Sequence, residues 1–134
     1  MGYVITHADL DKDQDLIVSL WQRNFEGSPP GRYEWIYNNN PYGKPTTFLL
    51  KDVESDSVVG SYSLFPRKLM LNGQYVDSYI CGDLVVDTKH RSLGPAITLI
   101  KAALKKSEED KCVLFGFPNH LSGPVLIMSG FKDI

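Results

Sequence analysis

Residues Cys81–Leu104, CGDLVVDTKHRSLGPAITLIKAAL, decide the fold of this chain. A short apolar run, Leu84-Val85-Val86, leads through a polar turn into Arg91-Ser92-Leu93-Gly94-Pro95-Ala96, and an amphipathic pattern follows. Ala96, Ile97, Leu99, Ile100, Ala103 and Leu104 recur at helical spacing, so the pattern predicts a helix over Pro95–Lys106 with proline at its first position. A strand that breaks at a glycine turn and opens a helix aims backbone N–H groups and the positive end of a helix dipole at one spot. Such a spot suits a phosphate.

Working outward, Tyr75–Val86 reads as the strand that feeds this turn. It follows Val58–Met70 across Asn72-Gly73, the dipeptide favoured in tight hairpins. Pro66 inside that earlier strand predicts an interruption, as at an edge or bulge. Thr46–Lys51 completes an antiparallel meander. On the far side, Val113–Phe117 is a strand reached through the helix, hence parallel to Tyr75–Val86. Leu121–Ser129 reads as a last helix closed by Gly130.

Before the meander lie a strand at Tyr3–Ile5 and a helix within Asp11–Phe25, capped by Asp9 or Asp11 and burying Leu16, Ile17, Leu20, Trp21 and Phe25. A second short helix, Arg32–Asn38, follows the Gly27–Gly31 break. The expected order is β-α-α-β-β-β-α-β-α, an α/β fold with one mixed sheet. The chain ends at Phe131-Lys132-Asp133-Ile134, where a further strand should begin. The expectation is therefore one domain over 1–134 whose last strands lie in a longer chain or come from a second copy.

Bulk properties narrow the function. The 134 residues are 43% hydrophobic and 22% charged, with a net charge of −2, which fits one globular domain. The charges form no basic stripe, which argues against nucleic acid, and no apolar run approaches a membrane span. Cys81 and Cys112 have no disulfide or metal spacing and read as buried thiols of a reducing, cytoplasmic compartment. No Gly-Lys-Ser/Thr follows the glycine turn, so it is not a P-loop. With one glycine it is not a dinucleotide fingerprint either.

At these residues the chain resembles the GNAT superfamily of acyl-CoA-dependent N-acyltransferases. The signature Val-x-Pro-x-x-(Arg/Gln)-x-x-Gly-x-(Gly/Ala) is met from Val86 through Arg91 and Gly94 to Ala96, without the proline. Asn119 and Gly130-Phe131 fall at the spacing of a second family pattern. Within the superfamily, Trp35-Ile36-Tyr37, Asn40-Pro41-Tyr42-Gly43 and Phe115-Gly116-Phe117-Pro118-Asn119 look like a subgroup in which the acetyltransferase domain opens a longer chain.

The resemblance implies an acetyl-CoA cosubstrate, an amine-bearing acceptor and no metal. It assigns the CoA pyrophosphate to the amides of Ser92, Leu93, Gly94 and Ala96, with Pro95 supplying no donor. Leu84, Val85 and Val86 would pair like a strand with the pantetheine, and an N–H near Val85 would polarise the thioester carbonyl. Asn119 would bond the pantetheine arm. Arg91 is open to two readings, a phosphate contact or a solvated loop arginine.

Catalysis is thinner. The tyrosine that serves GNAT proteins as acid aligns with Leu126, which holds no proton to give. Asp83 is the candidate base, directly or through water, against the plainer reading of a strand carboxylate hydrogen-bonded at a sheet edge. His90 and His120 flank the loop and read first as exposed loop histidines. Glu34 and Tyr33 lie where acceptors are often met, with core packing the better reading for Tyr33. Two functions compete: an N-acetyltransferase, and a GNAT-fold module that binds acyl-CoA or a protein without turnover. An unrelated α/β phosphate-binding domain is the distant third.

Overall fold

A computed structural model describes residues 2–119 and 121–133. Its sheet has five strands in sequence order: β1 (Tyr3–His7), β2 (Thr46–Asp52), β3 (Ser57–Leu71), β4 (Gln74–Val86) and β5 (Val113–Phe115). The first four are antiparallel neighbours, and β5 runs parallel to β4. Helix α1 (Gln14–Asn24) and a π-helical turn (Glu34–Asn38) cover one face. Helices α2 (Leu93–Glu109) and α3 (Gly123–Met128) cover the other.

Alternation along the strands makes this two-sided core. Phe48, Leu50, Tyr62 and Leu64 meet Leu99, Ile100 and Ala103 of α2, whereas Leu49, Phe65 and Val85 meet Ile17, Leu20 and Trp21 of α1. The hairpin forms as its Asn-Gly pair dictates, with φ of 51° at Asn72 and 79° at Gly73. Gly130, at φ 108°, ends α3 in a Schellman closure: its N–H bonds Ile127 and that of Phe131 bonds Leu126.

Four local expectations are corrected. The helix expected from Pro95 starts at Leu93, so Pro95 is its third residue. The first turn of a helix needs no N–H of its own, and a proline there costs no hydrogen bond. β3 runs unbroken through Pro66, which pairs with Tyr79 beyond the end of β2, where one side of β3 is an edge. β5 stops at Phe115 rather than Phe117. Neither Asp9 nor Asp11 caps α1 itself: Asp9 Oδ1 accepts from the N–H groups of Asp11 and Lys12 in the preceding turn, and Asp13 holds the cap position. No helix among the described residues is long and apolar enough to cross a membrane.

Gly60 marks the tightest point of the sheet. A Cβ there would stand 2.8 Å from the Val85 carbonyl oxygen, a backbone atom that cannot step aside. Gly60→Ala should therefore destabilise the protein by about 1–3 kcal/mol. A urea-unfolding midpoint equal to that of the parent would contradict this packing.

Candidate active site

The site begins with a fault in β4. Ser61 pairs with Val85 and Ser63 with Gly82, so Tyr62 alone faces both Asp83 and Leu84. This is a bulge, and Asp83 carries it in the left-handed region at φ 56°. Aspartate tolerates that conformation better than most residues. On its other edge β4 pairs with β5 only from Ser78 to Ile80, after which the strands part. At the fork Cys81 Sγ donates to the Phe115 carbonyl at 3.3 Å. Only glycine fits next along the chain, because a Cβ on Gly116 would lie 2.8 Å from that sulfur.

A cleft of about 250 Å³ opens between the parted strands, with Tyr62, Cys81, Asp83, Leu84, Asn119 and Leu126 among its walls. A second cleft of about 410 Å³ lies toward the π-helical turn, bounded by Trp35, Tyr42, Phe65 and Arg67. The two share Cys81, Gly82 and Asp83. The bulge is thus the partition between them.

Asp83 is hydrogen-bonded on a stretch of β4 that has lost β5, as the plainer reading expects. Arg32 grips it with two bonds, Nη2 to Oδ1 at 2.6 Å and Nη1 to Oδ2 at 3.0 Å, and the Tyr37 hydroxyl donates to Oδ2 at 2.9 Å. The pair is largely withdrawn from water, with side-chain exposures of 25% and 11%. Bonding to Asp83 raises the Arg32 pKa against the opposing effect of burial. Arg32 also stacks 4.7 Å from the Trp21 ring centre. Behind Tyr37 the network continues through Ser63 Oγ (2.7 Å) to Thr47 Oγ1 (2.8 Å). Burial, and next the Asp83 charge, push the Tyr37 phenol well above its ordinary value, so Tyr37 remains a neutral donor.

The loop after β4 places the remaining expected residues. Leu93, Gly94 and Ala96 occupy the first turn of α2, where N–H groups lack helical partners, and Ser92 stands at the cap position without a side-chain bond. Nothing lies within 4 Å of a Cβ built on Gly94, so the turn is open outward. Val85 and Val86 are buried on opposite faces, and Leu84 is half-buried against the α2 side.

Arg91 is an exposed loop arginine that is also tied to its neighbours. Its Nε donates to the Val86 carbonyl at 2.9 Å and its Nη2 to Asn24 Oδ1 at 2.8 Å. Asn24 and Arg23 in turn hold Asp87. These bonds fasten the loop to α1. His90 is likewise tied down, its Nδ1 2.9 Å from the Tyr3 hydroxyl, and is not an exposed loop histidine. His120 lies outside the described residues. Asn119 lines the first cleft, but its Oδ1 accepts from the N–H groups of Leu121 and Ser122 and shapes the entry to α3. Tyr33 is core, its hydroxyl donating to the Leu10 carbonyl at 2.6 Å, and Glu34 accepts from Asn38.

Three residues of the site escaped the sequence. Arg32 and Tyr37 lie 51 and 46 residues from Asp83, and no spacing rule links them. Tyr62 read only as one alternating apolar position. Burial pushes its phenol above the ordinary value, and its hydroxyl approaches the Cys81 thiol, which burial also pushes up. Among the described residues no group of three His, Cys, Asp or Glu side chains is placed to hold a metal ion.

Known proteins share this architecture. A Trypanosoma brucei acetyltransferase superposes with a TM-score of 0.73 at 17% identity, over 99% of this chain and 94% of that one. The glucosamine-6-phosphate N-acetyltransferase of Arabidopsis thaliana gives 0.73 at 16%, over 100% and 94%. A Clostridium acetobutylicum protein described as a predicted acetyltransferase, solved with acetyl-CoA, gives 0.76 at 16%, over 99% and 92%. At these identities the likeness is one of fold. No curated protein sequence matches the chain. A family model described as "Acetyltransferase (GNAT) domain" matches residues 7–125, nearly the whole chain, and on that match the chain belongs to the GNAT acetyltransferase family.

Proposed function

We propose that this protein transfers an acetyl group from acetyl-CoA to a primary amine, with the thioester seated at the β4 bulge. The observation that carries the reading is the pair of clefts meeting at Cys81-Gly82-Asp83, one opening where β4 and β5 part and the other bounded by Trp35, Tyr42 and Phe65. Acetyl-CoA would bring its pyrophosphate to the N–H groups of Leu93, Gly94 and Ala96, with Ser92 beside them and Pro95 contributing none. Its pantetheine would lie along Leu84, Val85 and Val86 where β5 has departed, within reach of Asn119. Arg91, bound to Val86 and Asn24, would hold the loop rather than the phosphate.

The chemistry needs a nucleophile, a proton acceptor and a stabilised leaving group. The neutral amine would attack the thioester carbonyl, whose developing oxyanion meets a backbone N–H of the bulge near Val85. A carboxylate has about four acceptor positions. Asp83 uses three of them on Arg32 and Tyr37, so its remaining lone pair on Oδ1 is the route by which the ammonium proton leaves, directly or through water. The C–S bond breaks with its electron pair on sulfur. Leu126 offers no proton there, and Tyr62 is a hydroxyl-bearing residue lining the same cleft. With its phenol above the ordinary value, full transfer to a thiolate of pKa about 8.5 is uphill. Tyr62 would therefore stabilise the thiolate by a hydrogen bond, and water supplies the proton. Leu126 and Pro95 favour a second reading, an acyl-CoA-binding module without turnover.

Titration with acetyl-CoA and desulfo-CoA, followed by thiol release over an amine panel, separates the two. Absence of CoA binding would sink both. Gly94→Glu adds a side chain into open space and an acid where the helix dipole welcomes one, so the fold should keep its thermal midpoint. CoA affinity should fall by more than about 100-fold through repulsion of the pyrophosphate; unchanged affinity would refute the loop assignment. Asp83→Asn should lower kcat/KM by about 100-fold and leave acetyl-CoA affinity nearly unchanged. An unchanged kcat/KM would make Asp83 a structural partner of Arg32 only.

A further inference from the structure

The second cleft carries a charge pattern that selects an acceptor, given the acetyltransferase reading above on which this inference rests. Three charged side chains bound it: Arg32, Asp83 and Arg67. Arg32 and Asp83 neutralise each other in their two-bond ion pair. Arg67 is left over. Its Nη1 is held by the Pro66 carbonyl at 2.7 Å and by Asn40 Oδ1 at 3.3 Å, and among the described residues it makes no ion pair with any carboxylate. The neighbouring Lys68, by contrast, is paired with Asp77 at 2.8 Å. A half-buried guanidinium, oriented by two neutral acceptors and facing a cleft, lacks an anion.

The walls give the rest of the ligand. Trp35 and Tyr42 are 71% and 55% exposed and flank a floor that includes buried Phe65. Large aromatic faces left open beside a cleft are suited to an apolar, flat body. A cleft of about 410 Å³ is the size of a small molecule. Arg67 pairs across the hairpin with Ser78, four residues before Gly82, so the arginine stands about 13 Å along the strand from the bulge before its own length is counted. The amine to be acetylated must reach the bulge, so its anion sits at the other end of the molecule.

We infer that the acceptor is a small amine whose apolar, aromatic body ends in a carboxylate, with Arg67 reading that carboxylate. Three probes test it by calorimetry on the CoA-loaded protein: 4-(aminomethyl)benzoate, benzylamine and 1,4-xylylenediamine. They share an aminomethyl-benzene core and differ in the far group, which is an anion, nothing or a cation. The amino acid should bind roughly 10- to 100-fold more tightly than benzylamine, as a charge-assisted bond implies, with the diamine weakest. Arg67→Met keeps the side chain's apolar stem and should erase the gap. Arg67→Glu should make the diamine the tightest ligand.

Equal binding of the three probes, no binding of any, or a gap that survives Arg67→Met overturns the inference. Acetyl-CoA titrated into the same samples keeps the two failures apart. Retained acetyl-CoA binding without discrimination sinks the acceptor class alone, whereas loss of acetyl-CoA binding in the unmutated protein sinks the acetyltransferase reading beneath it.

Discussion

At Asp83 the backbone of β4 adopts a left-handed conformation in the middle of a buried sheet, and the bidentate grip of Arg32 holds it there. A non-glycine residue in that region costs of order 1–3 kcal/mol unless its surroundings hold it in place. Here they do, through Arg32, Tyr37, Ser63 and Thr47. The network draws on β2, β3, the segment before the π-helical turn and that turn itself. Breaking a largely buried ion pair on one side leaves a charge without compensation, at about 3–5 kcal/mol. The bulge is thus a junction to which four elements are committed.

Its consequence is geometric. Strands that pair without fault have no room between them, so a site inside a sheet needs a place where pairing stops. β4 stops pairing twice at the same level. It faces β3 with one residue too many, and it loses β5 beyond Ile80. Cys81 and Gly116 fix the second departure, sulfur against a glycine that can carry nothing larger. Backbone pairing stops where the two clefts meet, an opening of the kind that the proposed strand-like cosubstrate and second reactant would need.

The sequence announced the sheet better than the site. Period-2 alternation in Thr46–Asp52, the Asn72-Gly73 turn and the 3.6-residue pattern of α2 are local signals, and each produced the element it predicts. Strand ends were less legible: β5 ends two residues early because Gly116 must pass Cys81, a contact between segments far apart in the chain. The loop was legible because its logic is local too, a strand, a glycine turn and a helix start. Asp83 was singled out, but its partners were not. Arg32 looked like the start of a short helix, and Tyr37 like one of its buried faces. Whether a carboxylate is free or paired depends on what the fold brings to it. For the same reason Arg91 and His90, which read as residues of an open loop, are bound to Val86, Asn24 and Tyr3.

Leu126 and Pro95 are the two departures that weigh against turnover, and the structure gives each a different weight. Pro95 is the third residue of α2, among the groups that have no helical partner in any helix. Its missing N–H therefore does not loosen the helix, and three other N–H groups remain in that turn for the proposed pyrophosphate contact. Leu126 is buried at 6% exposure, packs in the core beneath α2 and receives the Phe131 N–H that closes α3. A polar side chain there would have to serve that packing as well as the reaction. The position is given to packing, and polar side chains lining the cleft, Tyr62 and Cys81 among them, stand at other positions. Under the proposed acetyl transfer a thiolate is a tolerable leaving group near neutral pH, and a hydrogen bond from Tyr62 would answer the need that a proton donor at 126 would have met.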